Sequence, residues 1–230
     1  PSDTWVRENI QSHSPFGKCY PDKEWVFEGD SPSFLYVYAN GLNVPEEPTF
    51  GGWGGRFSTY KVKNVRGMDF ITRSGNNESQ YDPYCMYVSA AEGGEAIKRW
   101  QQEIWNDFAA RMAWTTTSEY SAVNHHPTAI VDGHDDMNCI YKKVKAGRDM
   151  EFDASASYDP NGNPLDFRWE IYAEPSTYKG KVNMENGDSP KCRIHIPAEA
   201  SGKSLHVILS LTDRGTPALT GYKRIVVQVL

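Results

Sequence analysis

Two carboxylates lie in a short segment whose residue types suit either cation binding or the start of a helix. Glu28 and Asp30 flank Gly29, and the chain continues through Ser31 and Pro32 into apolar residues. An aspartate at such a junction can ligate a hard cation such as calcium through its carboxylate oxygens. It can equally cap a following helix, since Asp, Ser and Pro are typical of helix starts. Capping is the default interpretation, and metal binding by Asp30 is the functional alternative.

A glycine-rich stretch is the most unusual motif in the chain, and it reads Gly51-Gly52-Trp53-Gly54-Gly55-Arg56. Glycines permit tight turns and let another molecule approach the backbone closely. An indole that stands clear of other side chains would offer its flat face to a sugar ring. Arg56 would then donate paired hydrogen bonds to hydroxyl or carboxylate oxygens. The alternative is that Trp53 fills the core between glycine turns.

Two further polar clusters favour structural roles. His125 and His126 precede an acidic loop, but adjacent residues on a strand point to opposite faces, so a hydrogen-bonded linker is favoured over a metal site. The segment 159–163 resembles a calcium loop, yet its glycine is fourth rather than sixth, so a plain turn is favoured. No phosphate-binding loop is present, and no catalytic triad can be assigned from residue order, so the catalytic residues are left unknown.

The second part of the chain, residues 125–230, is predicted to be all-β. Leu165–Ile171 alternates apolar and polar residues with the period of a half-buried strand. Further strands are predicted at Pro127–Val131, Asp149–Asp153, Arg193–Ile196, Leu205–Leu211 and Tyr222–Val229. About seven strands in roughly 100 residues is typical of an immunoglobulin-like sandwich, in which Trp169 would be the central core aromatic.

The first part, residues 1–124, has a different character. Apolar residues recur at helical spacing over Glu95–Ala113, which predicts an amphipathic helix. The apolar run Phe34–Tyr38 fits either a buried strand or the core side of a helix. One helix and long loops bury a core poorly, so we expect this region to be part of a larger domain whose remainder lies outside this chain.

Composition limits the functional classes. The net charge of −6 argues against a binder of phosphate backbones, and no apolar run approaches the length of a membrane span. Aromatic residues reach 13%, an excess that composition alone does not explain. Four cysteines without CxxC spacing fit either two disulfides or four thiols. The chain starts at Pro1 and looks processed or trimmed, and the Asn77-Glu78-Ser79 triplet could accept a glycan, although such triplets often arise by chance.

Taken together, these motifs resemble the later part of secreted cellulose-binding-type proteins, in which a nucleoside-hydrolase-like domain precedes an immunoglobulin-like domain. The resemblance covers nearly all of the chain. It rests on the segments 28–35, 40–42, 45–48, 51–56, 124–127, 153–162 and 211–217, and on Trp169. It implies a mixed fold, in which residues 1–124 are part of a nucleoside-hydrolase-like α/β domain with a parallel sheet and residues 125–230 form an all-β immunoglobulin-like sandwich. It is also the main reason to expect a secreted or periplasmic protein.

The resemblance also implies a function. The expected substrate is a polysaccharide or a glycoside. The expected substrate-binding residues are Trp53, Arg56 and Glu28, and Asp30 is expected to coordinate calcium. The missing N-terminal half would be a partner and would supply the remaining metal-binding aspartates, and neither nucleic acid nor a membrane is expected. Two hypotheses follow: glycosidic-bond hydrolysis in the full-length protein, or a non-catalytic cellulose- or glycan-binding module.

Overall fold

The structure is a computed structural model that describes residues 1–22, 31–61 and 85–230. The first part of the chain contains five helices within these ranges: α1 (Asp3–Val6), α2 (Ser14–Gly17), α3 (Ser31–Val37), α4 (Glu95–Lys98) and α5 (Gln101–Trp114). A π-helical turn follows α1 at Arg7–Gln11, and 3-10 turns cover Pro48–Phe50 and Tyr120–Ala122. Strands β1 (Phe57–Lys61) and β2 (Cys85–Ser89) pair antiparallel.

The second part contains seven strands: β3 (Ile140–Val144), β4 (Asp149–Asp153), β5 (Leu165–Ile171), β6 (Asn183–Glu185), β7 (Lys191–His195), β8 (Ser204–Asp213) and β9 (Thr220–Val229). A 3-10 turn at Ala198–Ala200 precedes β8. One sheet has the order β3-β9-β8-β5 and the other the order β4-β7-β6. β3 joins β9 in parallel, and the other pairs are antiparallel.

The two sheets enclose one apolar core between them. Trp169 of β5 is 4% exposed and stacks on Phe152 of β4 with ring centroids 5.5 Å apart. Its indole N–H donates to the carbonyl of Ser189 at 2.9 Å, so the polar end of the ring is also satisfied. The predicted central role of Trp169 is therefore confirmed.

The outer face of the four-stranded sheet is covered by the first part of the chain. Ile208 of β8 and Tyr222 of β9 point away from the sandwich core and are buried. They form a second apolar cluster with Tyr172 and with three residues of the first part: Leu42, Trp53 and Trp100. Because both faces of β8 and β9 are covered, these strands are buried almost throughout, and buried and exposed residues do not alternate along them.

A buried arginine fixes the loop over this outer face. Arg224 of β9 is 0% exposed, and its guanidinium donates to the carbonyls of Leu42 at 2.7 Å, Phe50 at 3.1 Å and Gly51 at 2.6 Å. Removal from water lowers the pKa of Arg224 to about 10, so the group stays charged at neutral pH. The main-chain carbonyls replace the hydrogen bonds to water that the guanidinium loses when it is buried.

Several predicted elements differ from the structure. Pro127–Val131 forms isolated bridges at Thr128 and Val131 rather than a strand, while β3 and β6 were not predicted. The single helix predicted over Glu95–Ala113 is two helices, because the chain turns at Trp100 to bury its indole against Tyr172 and Tyr222. The run Phe34–Tyr38 is mostly helical, within α3.

The mixed class is confirmed at a coarse level: helices accompany a β-rich second part. Within the described residues of the first part the strands are the antiparallel pair β1–β2, so the parallel sheet that the resemblance implies is not represented there. Among the described residues of both parts, no helix has the length and apolar character that crossing a membrane requires.

Candidate functional site

Two of the predicted site residues, Glu28 and Asp30, lie outside the described residues, so their roles stay predictions. The predicted calcium ion is likewise untested at Asp30. In the ranges that the structure does describe, no three His, Cys, Asp or Glu side chains are grouped closely enough to hold a metal ion.

Trp53 lies in the interior, and the exposure predicted for its indole is not found. The residue is 1% exposed. Its ring stacks on Tyr38 with centroids 5.7 Å apart and meets Tyr222 edge to face at 6.1 Å. The indole N–H donates to the hydroxyl of Tyr222 at 3.3 Å. This arrangement leaves no open ring face for a sugar, and it matches the alternative that Trp53 fills the core.

The glycines around Trp53 serve close packing within the chain. A Cβ at Gly52 would lie 2.0 Å from the side-chain oxygen of Asn43, which accepts the main-chain N–H of Trp53 at 2.9 Å. Gly51 has φ +73°, and a Cβ there would lie 2.6 Å from the hydroxyl of Tyr172. The space left by the absent side chains is thus occupied by the protein itself, not by a ligand.

Arg56 is the predicted site residue that does line a cavity. Its Nη2 lies 2.7 Å and 2.8 Å from the two carboxylate oxygens of Glu92, and its Nε donates to the nearer one at 3.1 Å. Partial burial opposes the charge on Glu92. Hydrogen bonds to its own backbone and to Arg56 outweigh that effect and hold the pKa of Glu92 below its usual value. Arg56 therefore makes its paired hydrogen bonds with a carboxylate of this chain, and the predicted contact of Arg56 with a ligand stays a prediction.

This cavity, which we call the charged cleft, lies between the N-terminal end of α5 and the outer face of β5 and β8. Its volume is about 450 Å³. The lining includes the aromatic residues Trp100 and Tyr172 and the hydroxyls of Ser210 and Thr212. Most of the remaining lining is charged, with three arginines (Arg56, Arg99 and Arg168) and five glutamates (Glu92, Glu95, Glu103, Glu170 and Glu174).

Arg99 holds the centre of the charged cleft together. Its guanidinium lies over the rings of Trp100 at 4.7 Å and Tyr172 at 4.3 Å. It also pairs with Glu170 at 3.0 Å and with Glu174 at 3.3 Å. Since cation, rings and carboxylates restrain one another, the polar groups of the cleft are held in place before any ligand arrives.

Glu103 differs from the other glutamates of the cleft. Burial, reinforced by the nearby charge of Glu170, raises the pKa of Glu103 against the opposing charges of Arg168 and Arg99. A carboxyl group with a raised pKa carries a proton closer to neutral pH and can donate a hydrogen bond. Sequence reasoning did not single out Arg99, Glu103 or Glu170, because the contacts that define them join residues about 70 positions apart.

A second cavity, which we call the neutral groove, lies at the C-terminal end of α5 and has a volume of about 650 Å³. His125, predicted as part of a hydrogen-bonded linker, lies beside it. Its main-chain N–H donates to the side chain of Asn161 at 3.0 Å, and its ring Nε2 donates to the carbonyl of Tyr120 at 3.0 Å. Its imidazole stacks between Tyr120 and Trp114, with centroid distances of 3.6 Å and 5.1 Å.

His126 also has a structural partner. Its Nε2 lies 3.0 Å from a carboxylate oxygen of Asp107, whose other oxygen accepts from Nε of Arg111 at 2.8 Å. Burial opposes ionisation of Asp107, but the hydrogen bonds from His126 and Arg111 outweigh it and hold the pKa of Asp107 below its usual value. The linker role predicted for the two histidines is confirmed.

The predicted turn at 159–163 is also present. The carboxylate of Asp159 accepts the main-chain N–H groups of Asn161 and Asn163 at 3.0 Å and 2.8 Å. Of the cysteines, Cys19, Cys139 and Cys192 have free thiols, so no disulfide joins any two of these three.

Two family models match this chain, one in each of its two parts. Residues 1–57 match the family model described as the nucleoside hydrolase-like domain of cellulose-binding Sde182. Residues 149–229 match the model of the C-terminal domain of cellulose-binding protein Sde0182. No curated protein matches the chain.

Among solved structures, the chain is similar to a nucleoside hydrolase-related hypothetical protein from Saccharophagus degradans, described as associated with carbohydrate metabolism. The two are 41% identical with a TM-score of 0.86, and the match covers 100% of this chain and 54% of that one. The chain therefore spans about half the length of that relative.

Two other solved structures match the chain far less well. The PKD domain of the KIAA 1837 protein is 16% identical with a TM-score of 0.30, covering 39% of this chain and 78% of that one. Human CDH23 EC21-23 is 14% identical with a TM-score of 0.32, covering 46% and 35%. TM-scores this low carry no argument about the fold. The two family models match the chain in the predicted order, with the nucleoside hydrolase-like domain first. The chain belongs to the family of cellulose-binding Sde182 proteins, as its resemblance predicted.

Proposed function

We propose that this chain is the C-terminal portion of an exported polysaccharide-binding protein and that the charged cleft binds the hydroxyl groups of a plant-type polysaccharide. The observation that carries the proposal is the position of Arg56. It is fixed by Glu92 at the wall of a cavity that also contains two aromatic rings and several carboxylates. The cellulose-binding description of both matching family models supports the same class of ligand.

The chemistry of the cleft suits a polyhydroxylated ligand. Carboxylate oxygens accept hydrogen bonds and guanidinium groups donate them, while each sugar hydroxyl can do both. The ion pairs Arg56–Glu92 and Arg99–Glu170 hold these groups in fixed directions, so little conformational entropy is lost when a sugar binds. Carboxylates and guanidinium groups make stronger hydrogen bonds than neutral groups do, which favours hydroxyl recognition.

The charge of the cleft favours a neutral ligand over an anionic one. Its lining has five glutamates and three arginines, so an excess of negative charge faces the cavity when all of them are ionised. Phosphate-bearing or uronic acid ligands would be repelled. Neutral glucans meet no such opposition.

Glycosidic-bond hydrolysis in the full-length protein is a second candidate function, and the raised pKa of Glu103 favours it. A glutamate with a raised pKa keeps its proton to higher pH than an ordinary glutamate, and a protonated carboxyl group can act as a general acid toward a leaving oxygen. Calcium binding at Asp30, with aspartates from the N-terminal half, stays part of this candidate. Turnover of glycosides by the full-length protein, lost in a Glu103→Gln variant, would support it.

The finer structural assignments belong to the same proposal. Seven strands in sheets of four and three support an immunoglobulin-like class for the second part. The N-terminal half of the same protein is the expected partner of residues 1–124, because this chain covers 54% of its Saccharophagus relative. Secretion or a periplasmic location is proposed from the expected polysaccharide ligand.

Calorimetric titration of the full chain with a soluble cello-oligosaccharide such as cellotetraose tests the cleft. Arg56→Ala removes one charged donor and is expected to weaken binding about tenfold. Arg56→Lys keeps the charge but loses the two-pronged geometry and should be intermediate. Arg193→Ala is the matched control, because Arg193 pairs with Asp149 on the other sheet and does not line the cleft.

Equal affinities for wild type, Arg56→Ala and Arg193→Ala would contradict binding in the charged cleft. Absence of any heat change with the wild-type chain would contradict binding of short glucans altogether.

A further inference from the structure

The neutral groove has a lining that differs sharply from that of the charged cleft. Of the described residues that line it, none is Asp, Glu, Lys or Arg. Its polar side chains carry hydroxyls, amides and one imidazole, and they belong to His13, Thr116, Tyr120, Ser121, Asn124, Asn161, Asn163 and Thr216. In a chain where charged residues make up 23%, an uncharged lining of this size indicates an uncharged ligand.

An exposed aromatic ring stands at this groove. Tyr120 is 59% exposed although it lies face to face on His125, with centroids 3.6 Å apart and an interplanar angle of 2°. One ring face is therefore covered by the imidazole, and the exposed area belongs to the rest of the ring. Trp114 supports the imidazole from its other side, so the tyrosine is held by a stack of rings. A rigid tyrosine provides a large amphipathic contact surface at low entropic cost.

The loops that form the groove are held in place by side-chain amides. Asn124 donates to both carboxylate oxygens of Asp213, at 3.0 Å and 2.9 Å, and accepts from the amide of Asn163 at 2.9 Å. Asn161 donates to the carbonyl of Val123 at 3.0 Å. Each amide nitrogen carries two hydrogens, so Asn161 and Asn163 each keep one beyond these bonds. The groove is thus preorganised and retains donors for a ligand.

The geometry points to the neutral groove as a second glycan-binding surface, with Tyr120 as its stacking platform and an uncharged polysaccharide chain as its occupant. This inference rests on the proposed polysaccharide-binding function and assigns part of that binding to the neutral groove. The uncharged lining matches an uncharged glucan, the ring face matches the apolar face of a sugar, and the amides match its hydroxyls. The two cavities lie at opposite ends of α5, so one polysaccharide-binding protein would hold its ligand at two separate points.

Depletion of the full chain from solution by insoluble cellulose tests this inference. Tyr120→Ala is expected to weaken adsorption about tenfold, and Tyr120→Phe to keep it, because the ring and not the hydroxyl makes the contact. Tyr141→Ala is the matched control: Tyr141 is a 63% exposed tyrosine on β3 that lines neither cavity. Thermal melts of all variants should agree with wild type, since both tyrosines are exposed.

The outcomes separate this inference from the proposed function. Adsorption by wild type and Tyr141→Ala with loss in Tyr120→Ala supports both. Adsorption that Tyr120→Ala leaves unchanged overturns the groove and leaves polysaccharide binding intact. If cellulose does not deplete the wild-type chain, both the groove and the proposed cellulose binding are overturned.

Discussion

Replacing Trp53 with alanine removes a large buried side chain from the contact between the first part of the chain and the outer face of the four-stranded sheet. The indole is 1% exposed, and truncation of a buried tryptophan costs about 3–5 kcal/mol. The change also removes the N–H that the hydroxyl of Tyr222 accepts at 3.3 Å, which adds roughly 1 kcal/mol. We therefore expect Trp53→Ala to lower the free energy of unfolding by about 4–6 kcal/mol.

Urea unfolding followed by circular dichroism measures this loss. Because a domain is stable by only about 5–15 kcal/mol, a milder variant is needed for binding studies. Trp53→Phe keeps an aromatic ring and should lose roughly half as much stability. Trp169→Phe is the matched control, since Trp169 is also buried and also donates through its indole N–H. Both phenylalanine variants should bind cellotetraose with wild-type affinity.

One result would refute the reasoning about Trp53. If Trp53→Phe unfolds at the wild-type urea concentration but loses cellotetraose affinity while Trp169→Phe keeps it, then the indole contacts the sugar. The glycine-rich motif would then be a ligand loop, as first predicted, and the burial argument would be wrong.

Two further predictions concern the same contact. Gly41→Ala should lower the free energy of unfolding by roughly 3 kcal/mol or more, because Gly41 has φ +83° and a Cβ would lie 2.0 Å from a main-chain oxygen of Tyr222. Gly202→Ala, at φ +73° in open space, should cost only about 1 kcal/mol by the same urea assay. His206 is predicted to make the protein acid-sensitive. Burial, then the charge of Arg224, lowers the pKa of His206 to about 3, so the unfolded state binds an extra proton between pH 6.5 and 3. Stability should fall with decreasing pH by up to about 1.4 kcal/mol per pH unit over that range, and His206→Asn should flatten the slope.

Equal losses in the two glycine variants would contradict the close approach of Gly41 to β9. A pH slope that His206→Asn leaves unchanged would mean that other groups cause the acid sensitivity. Asparagine suits this test because its side-chain oxygen can still accept from Arg224, which lies 3.1 Å from Nδ1 of His206.

The second part of the fold was predictable because its signals are local. The alternation in Leu165–Ile171 gave the bounds of β5, and Asp149–Asp153 gave those of β4. The near-continuous burial of β8 and β9 has a cause that no local pattern reveals, since it depends on the first part of the chain lying on their outer face. Glu95–Ala113 was predicted as one helix for the same reason. The helix is interrupted at Trp100, whose side chain packs in the cluster on the outer face of the sheet.

The candidate site was predictable only in part. Arg56 was identified from its motif as a residue that would contact a ligand, and that role stays a prediction. Its partner within the chain, Glu92, is 36 positions away and had no signal of its own. The same motif did not predict the burial of Trp53. Glycines that leave space for a ligand cannot be told apart in sequence from glycines that leave space for side chains of the same chain, here Asn43 and Tyr172. Tyr120 lies in a short 3-10 turn, where periodicity says nothing about exposure.

A crystal structure of the full chain with bound cellotetraose would test the proposed glycan site most directly. We predict a sugar in the charged cleft, with hydroxyl groups within hydrogen-bond distance of Arg56 and of at least one of the cleft glutamates. A fully occupied oligosaccharide bound only elsewhere, with the Arg56–Glu92 pair untouched by any sugar, would contradict the account.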